Sequence, residues 1–180
     1  YVYKRQVLFD TATGDQVKSI KVPGGGGNFT CLPDGSKCYA GLRKDNSVGV
    51  IDMAKLELMK VIKTGPDGNR LYLNPANTRY GIFTNESGKS ETVSVIDTMK
   101  DVKVKDIITG LGPHNVAFNP EGTAAVVSTK KEDVATLIDT SSGDPSQWDV
   151  ITTELDSGIQ NNGVRWVPSP EALKKVLASN

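Results

Sequence analysis

Two short motifs recur along the sequence with nearly the same spacing, and this repeat limits the chain to folds built from similar units. The first motif is an apolar pair followed by aspartate, and its aspartates lie 42, 45 and 42 positions apart. They are Asp10, Asp52, Asp97 and Asp139. The second motif is a proline turn whose prolines lie 42, 45 and 48 positions apart. They are Pro33, Pro75, Pro120 and Pro168. Two independent motifs in step indicate a genuine structural repeat.

Apolar residues within each unit alternate with small or polar ones, as in Val93 to Val95 and Val116 to Phe118. This period of two is typical of half-buried strands. Proline and glycine in the first turn, and aspartate in the second, suit hairpin connections. Each unit is therefore predicted to contain four antiparallel strands, called a to d from the inside outwards. An all-β chain of four-stranded units about 40–45 residues long is typical of the blades of a β-propeller.

The repeat also predicts how the chain is divided. We expect a partial blade at 7–22, three blades at about 28–64, 70–110 and 115–155, and a partial blade at 164–180. Residues 1–6 are predicted to be a non-native or disordered start. About four repeats are then part of a larger ring of about six to eight blades. The alternative is a four-bladed ring in which the two partial blades combine.

Three consecutive segments of the chain resemble the YVTN family of propeller repeats. They are Ile82–Asn85 (IFTN), Val93–Thr98 (VSVIDT) and Gly112–Gly122 (GPHNVAFNPEG). The resemblance extends over nearly the whole chain from about Val7. It implies a propeller fold, export to the periplasm or the extracellular space, and interaction roles that often lack a defined ligand. It is specific for the fold and weak for the function, because one propeller motif serves unrelated roles.

The composition excludes several classes of function. With 21 basic and 21 acidic residues, the net charge is zero, which argues against a nucleic-acid partner. The apolar runs are too short to span a membrane. One histidine and two cysteines cannot build a multi-imidazole or four-thiolate metal site, and no C-x-x-C-H motif attaches haem. We therefore expect no metal and no cofactor. The expected partners are a small molecule or protein at the channel face and the remaining blades of the same chain.

Ligands of propellers bind where the first strands of the blades converge on the central channel. Alignment of the units places four residues just before strand a, namely Gly27, Asn69, His114 and Asn162. Their neighbours are Asn28, Arg70, Asn115 and Gly163. The candidate binding residues are therefore His114, Asn115, Arg70, Asn69, Asn28 and Asn162. Such groups suit an anionic or polyhydroxylated ligand, and the alternative is that they satisfy loop backbone and hold channel water. No catalytic residue is assigned.

Cys31 and Cys38 flank the first proline turn and are expected to lie opposite each other on one face of the hairpin. The equivalent pairs, Leu73 with Tyr80 and Phe118 with Ala125, are mostly apolar. A cross-strand disulfide and a pair of reduced buried thiols both fit this position.

The turns between strands b and c carry mixed charges. Arg43–Asp45 and Lys130–Asp133 are predicted to be exposed tips, and Asn85–Glu91 is predicted to be a solvated turn.

Two functions remain open. The first is a non-catalytic ligand- or protein-binding scaffold, exported to the periplasm or the extracellular space. The second is a propeller enzyme that acts at the channel mouth, either a lactonase-like hydrolase or, with less support, a protein like the haem-dependent nitrite reductases.

Overall fold

A computed structural model describes residues 4–156 and 163–165 and shows an all-β chain. The described part contains fourteen strands and two short 3-10 turns, at Arg43–Asp45 and Pro145–Gln147. The strands form one two-stranded and three four-stranded antiparallel sheets, each built from strands consecutive in the chain. The predicted order a, b, c, d is therefore confirmed. No helix among the described residues has the length and apolar character needed to cross a membrane.

The two-stranded sheet is the partial blade, and its strands are β1 (Lys4–Phe9) and β2 (Gln16–Val22). The sequence placed the first residue of this blade at Val7, but β1 starts at Lys4, whose backbone is opposite Val22. Residues 4–6 are polar, yet they extend the strand because the ladder hydrogen bonds use only backbone groups. Residues 4–6, predicted to be a non-native or disordered start, are thus ordered as part of β1, while a non-native origin stays a prediction. Residues 1–3 lie outside the described part.

The three complete blades follow at regular intervals. The first blade contains β3 (Phe29–Cys31), β4 (Lys37–Leu42), β5 (Ser47–Asp52) and β6 (Glu57–Lys63). The second contains β7 (Gly68–Leu73), β8 (Tyr80–Asn85), β9 (Thr92–Asp97) and β10 (Val102–Ile108). The third contains β11 (Pro113–Phe118), β12 (Ala124–Thr129), β13 (Val134–Asp139) and β14 (Asp149–Asp156). The predicted partial blade at 164–180 lies outside the described residues, except for 164 and 165.

The proline turn of the second blade is one residue longer than the sequence alignment assumed. Asn74 N donates to Tyr80 O at 2.9 Å, which closes a loop of five residues, 75–79. As a result, Leu73 lies opposite Gly81 and not opposite Tyr80 as predicted. The extra residue changes the pairing by one position without moving the strands to another sheet.

Three hydrophobic clusters hold the sheets face to face. Each cluster draws its buried side chains from two adjacent sheets, and the most buried large residues include Tyr39, Phe83 and Trp148. Since strands alternate their side chains between two faces, a blade can contribute to the cluster on either side. The inner strands β3, β7 and β11 consequently lie next to one another around one concave surface.

A buried tyrosine links the first blade to the second. The Tyr39 hydroxyl donates to Asp101 Oδ1 at 2.6 Å, and Lys37 Nζ lies 2.7 Å from Asp101 Oδ2. Burial of the ring, followed by the hydrogen bond to the Asp101 carboxylate, raises the pKa of Tyr39 far above its usual value. The neutral phenol is therefore strongly favoured in the folded protein.

We expect this tyrosine to make stability depend on alkaline pH. In the unfolded chain Tyr39 ionises near pH 10, whereas in the folded chain it stays neutral, so its stabilising contribution declines as the pH rises above about 10. Tyr39→Phe should lower the free energy of unfolding by about 1–2 kcal/mol at pH 8 because Asp101 loses a hydrogen-bond donor. The difference in the free energy of unfolding between wild type and variant should decrease by about 1 kcal/mol between pH 10 and 11. Urea denaturation at each pH measures this difference. A difference that does not change with pH would contradict the claim that Tyr39 stays neutral in the folded chain.

Candidate binding site at the channel mouth

The start of each inner strand and the turn after each second strand meet at the same end of the blades. We call this region the channel mouth and define it by Arg43, Asn69, Glu86, His114 and Lys130. The two kinds of segment meet because antiparallel strands a and b run in opposite directions, so the end of b lies beside the beginning of a. Residues from three consecutive blades therefore face one another there.

Glu86 is the centre of the channel mouth, and its side chain is only 1% exposed. Its Oε1 accepts a hydrogen bond from Asn69 Nδ2. Its Oε2 lies 3.0 Å from Lys130 Nζ and 3.6 Å from Arg43 Nη1. A buried carboxylate is costly unless it is paired and hydrogen-bonded. Here the preceding and the following blade each supply a cation to the middle blade.

Arg43 is fixed by a second acidic group in addition to Glu86. Its Nε and Nη2 donate to the two carboxylate oxygens of Asp67 at 2.7 and 2.6 Å. This bidentate hydrogen bond raises the pKa of Arg43 above its ordinary value. The guanidinium is therefore always charged and is held in one orientation between the two carboxylates.

The three central charges occupy one repeat position. Arg43, Glu86 and Lys130 are each the first residue after the second strand of their blades, which end at residues 42, 85 and 129. Sequence reasoning missed them because it treated these turns as solvated tips. That interpretation is wrong for Glu86, which is buried. The signal was present in the sequence as an alternation of positive, negative and positive charge at this one position.

His114 and Asn115 connect Glu86 to the channel wall. His114 Nε2 lies 3.7 Å from Glu86 Oε1, and Asn115 Nδ2 lies 3.0 Å from His114 Nδ1. An amide nitrogen only donates, so Nδ1 accepts and the proton of the neutral ring lies on Nε2, towards the carboxylate. Asn115 Oδ1 in turn accepts from the Tyr72 hydroxyl at 2.5 Å. We call Glu86, His114, Asn115 and Tyr72 the mouth relay.

A groove on the concave surface begins at the last member of the relay. It has a volume of about 270 Å³ and is lined by side chains from β3, β7 and β11, with Arg70, Tyr72 and Phe118 among them. The Arg70 guanidinium lies 5.1 Å from the centre of the Tyr72 ring, within the range of a cation–π contact. Burial raises the pKa of Tyr72, so its hydroxyl stays protonated. The groove thus combines an exposed cation with aromatic walls.

The predicted site residues fall into two groups. Asn28, Asn69, His114 and Asn115 lie together at the channel mouth, where Asn28 Nδ2 donates to Asn69 Oδ1 at 3.3 Å. Asn69 Oδ1 also accepts from the backbone N–H of Asn28 at 3.1 Å, so part of this group does satisfy loop backbone. Arg70 lies apart from them, on the groove. Asn162 is outside the described residues.

Cys31 and Cys38 form a disulfide in the first blade, with their sulfurs 1.98 Å apart. They lie directly opposite each other on β3 and β4. Leu32 N donates to Lys37 O at 2.9 Å, so the cysteines form the adjacent, non-hydrogen-bonded pair, where side chains are closest. Residues 4–156 and 163–165 contain no group of three potential metal ligands.

The sequence matches no family model and no curated protein. The resemblance to YVTN repeats therefore remains a prediction.

Solved structures do share the fold. Hydrazine synthase from Kuenenia stuttgartiensis is 24% identical with a TM-score of 0.69, and the match covers 82% of this chain and 42% of that protein. The dihydro-heme d1 dehydrogenase NirN, in complex with DHE, is 18% identical with a TM-score of 0.63, and the match covers 82% and 33%. A putative 6-phosphogluconolactonase from Bacteroides fragilis is 17% identical with a TM-score of 0.65, and the match covers 84% and 44%.

The chain spans less than half of each of these proteins. Their low identities make them evidence for the fold alone. Together with the four-stranded antiparallel sheets, they show that the described part of the chain consists of three complete blades and one partial blade of a β-propeller.

Proposed function

We propose that these blades form a non-catalytic binding module that holds an anionic ligand in the groove below the channel mouth. The observation that carries the proposal is the exposed Arg70 guanidinium placed over the Tyr72 ring, at the end of the mouth relay. A carboxylate or phosphate on a ligand would bind the guanidinium, and an apolar or planar body would lie along the aromatic walls.

The relay supports binding over catalysis because its ionisable groups are engaged in ion pairs and hydrogen bonds with neighbouring residues of the channel mouth. Glu86 is compensated by Lys130 and Arg43, and the imidazole of His114 lies between Glu86 and Asn115. Such an arrangement fixes Tyr72 before a ligand arrives, which lowers the entropic cost of binding. A general base would instead need a proton acceptor within reach of the substrate.

Benzoate is a suitable probe, with benzamide as its uncharged counterpart, in a titration followed by NMR chemical shifts. We expect benzoate to bind the wild-type protein and benzamide to bind much more weakly. Arg70→Ala should weaken benzoate binding at least about tenfold, which corresponds to about 1.4 kcal/mol, while Arg70→Lys should retain part of it. Lys60→Ala, on the exposed outer strand of the first blade, is the matched control. Equal binding by the wild type and Arg70→Ala would overturn the proposal.

A propeller enzyme that acts at the channel mouth is the second candidate. The observation that favours it is the approach of His114 Nε2 to the Glu86 carboxylate, a pairing that also serves acid–base catalysis. All three structural neighbours bear the names of enzymes, a synthase, a dehydrogenase and a putative lactonase. A lactonase-like hydrolase would turn over a sugar lactone and lose that turnover in His114→Ala, whereas a binding module would show no turnover in either the wild type or the variant.

We further propose that the whole protein is an exported YVTN-type propeller of about six to eight blades. The motif segments of the sequence support the family, and the disulfide supports an oxidising compartment such as the periplasm or the extracellular space. Alkylation of the protein in intact cells tests the compartment. Resistance of both cysteines to a thiol reagent until a reductant is added would support export, and free thiols would contradict it.

A further inference from the structure

We propose that the seam between the outer strands of the second and third blades docks a basic, apolar peptide segment of another protein in extended form. The seam lies between β10 and β14, away from the channel. One cleft in it, of about 560 Å³, has three carboxylates on its rim and three apolar side chains within it. We call these residues the outer seam: Glu91, Glu132, Glu154, Ile108, Leu111 and Val134.

The apolar part of the outer seam is open to solvent. Ile108 is 68% exposed although it ends a strand whose neighbour, Ile107, is buried. A second cleft of about 400 Å³ shares Ile108 and Thr153 with the first and continues along the same two strands. Residues 105–111 line the two clefts, and residues 105–108 among them belong to β10, which as extended backbone covers about 10 Å.

The rim of the outer seam carries three carboxylates. Glu91, Glu132 and Glu154 are exposed, and none of them forms an ion pair with any residue in the described ranges. Glu132 Oε2 accepts a hydrogen bond from Leu111 N at 2.7 Å, which fixes that carboxylate at the cleft. Three carboxylates that form no ion pair within the described ranges, placed around apolar side chains, are complementary to a segment in which lysine or arginine alternates with leucine, isoleucine or valine.

The repeat shows that the fold does not require this chemistry. Glu91 in this seam and Asn46 in the preceding seam occupy the same position of the repeat. The backbone oxygen of Glu91 accepts from Thr109 N at 2.6 Å, and that of Asn46 accepts from Thr64 N at 3.0 Å. At the equivalent end of the outer strand, Lys63 stands in the first blade and Ile108 in the second. At these two positions the preceding seam carries asparagine and lysine where the outer seam carries glutamate and isoleucine.

The test is fluorescence anisotropy with a labelled peptide of alternating lysine and leucine, at low salt. We expect saturable binding that weakens as the salt concentration rises. The double variant Glu91→Asn with Ile108→Lys copies the residues of the preceding seam and should weaken binding at least about tenfold. Glu57→Asn with Met59→Lys makes the same kinds of change on the exposed β6 and is the matched control, for which binding should be unchanged.

Several outcomes would overturn the proposal. They are absence of binding, an equal loss in the control variant, and equally tight binding of a peptide of alternating glutamate and leucine. A dimer in sedimentation that the seam variant dissociates would show that a second copy of the chain occupies the seam. Circular dichroism and thermal unfolding of both variants check the fold, which these exposed positions should leave intact. Benzoate binding at the groove should be unaffected in either variant, so this test is independent of the proposed function.

Discussion

Replacement of Glu86 by glutamine is expected to lower the free energy of unfolding by about 2–4 kcal/mol at neutral pH. The substitution keeps the shape of the side chain but removes the only negative charge that Lys130 approaches in the described part of the chain. Lys130, Arg43 and His114 would then surround a neutral amide. The NH₂ group of that buried amide can only donate, and it would occupy a position where a carboxylate oxygen of Glu86 accepts. The loss is smaller than for a fully enclosed pair because Lys130 and Arg43 are each about one-third exposed.

Urea denaturation measures this loss, with Glu57→Gln as the control on the exposed face of β6. The control should change the stability by less than about 0.5 kcal/mol. Lys130→Gln should lower the free energy of unfolding by less than Glu86→Gln does, since Arg43 still compensates the charge of the Glu86 carboxylate. The interpretation of Glu86 as the common partner of three blades would be wrong if Glu86→Gln were no more destabilising than the control.

The second large effect is expected at Trp148, between the second and third blades. Its side chain is 1% exposed, and its ring lies edge-on to Tyr80 and Phe118 with centroid distances of 6.0 and 6.3 Å. The indole Nε1–H donates to Ser142 O at 2.9 Å. Trp148→Ala should therefore lower the free energy of unfolding by about 3–5 kcal/mol, because it leaves a cavity and an unpaired carbonyl.

Trp148→Phe separates the contribution of the cavity from that of the lost hydrogen bond. It keeps an aromatic ring and removes only the hydrogen bond and part of the side-chain volume. We expect it to cost about half as much as the alanine variant. Far-UV circular dichroism in urea is the measurement. A loss below about 1 kcal/mol for Trp148→Ala would show that the cluster does not hold these blades together.

Features that depend on nearby residues could be predicted from the sequence. The aspartate of the first motif caps its own turn, as when Asp97 Oδ1 accepts from Met99 N and Lys100 N at 2.9 and 3.0 Å. Since those partners lie two and three residues away, the motif itself contains the information. The alternation of apolar residues likewise predicted the strands and the all-β architecture.

The candidate site depended on residues far apart in the chain and was predicted only in part. His114 and Asn69 were found because the sequence placed both just before an inner strand, where the structure has them as the second residues of β11 and β7, but their common partner Glu86 was not found. Its cations come from neighbouring blades, 43 and 44 positions away, and only the alignment of equivalent turns places them together. Tyr72 was missed because its ring follows the apolar pattern of a strand, whereas its hydroxyl bonds to Asn115.

The structure assigns different roles to the two ends of the relay. Glu86 and its cations join three blades, so they belong to the stability of the propeller. Tyr72 and Arg70 line the groove and are the residues to which the proposed function assigns binding. His114 and Asn115 connect the two, and a change at Glu86 should therefore reach the groove through the orientation of Asn115.

The protonation state of His114, measured by ¹⁵N NMR of the imidazole, is the decisive test of the mouth relay. The chain contains one histidine, so its signals need no assignment by mutagenesis. In the neutral ring we expect the proton on Nε2, facing Glu86, with Nδ1 accepting from Asn115 Nδ2. The Glu86→Gln variant should show a weakened preference for this tautomer. A wild-type ring with its proton on Nδ1 would reverse the Asn115 amide and contradict the relay on which the proposed binding site depends.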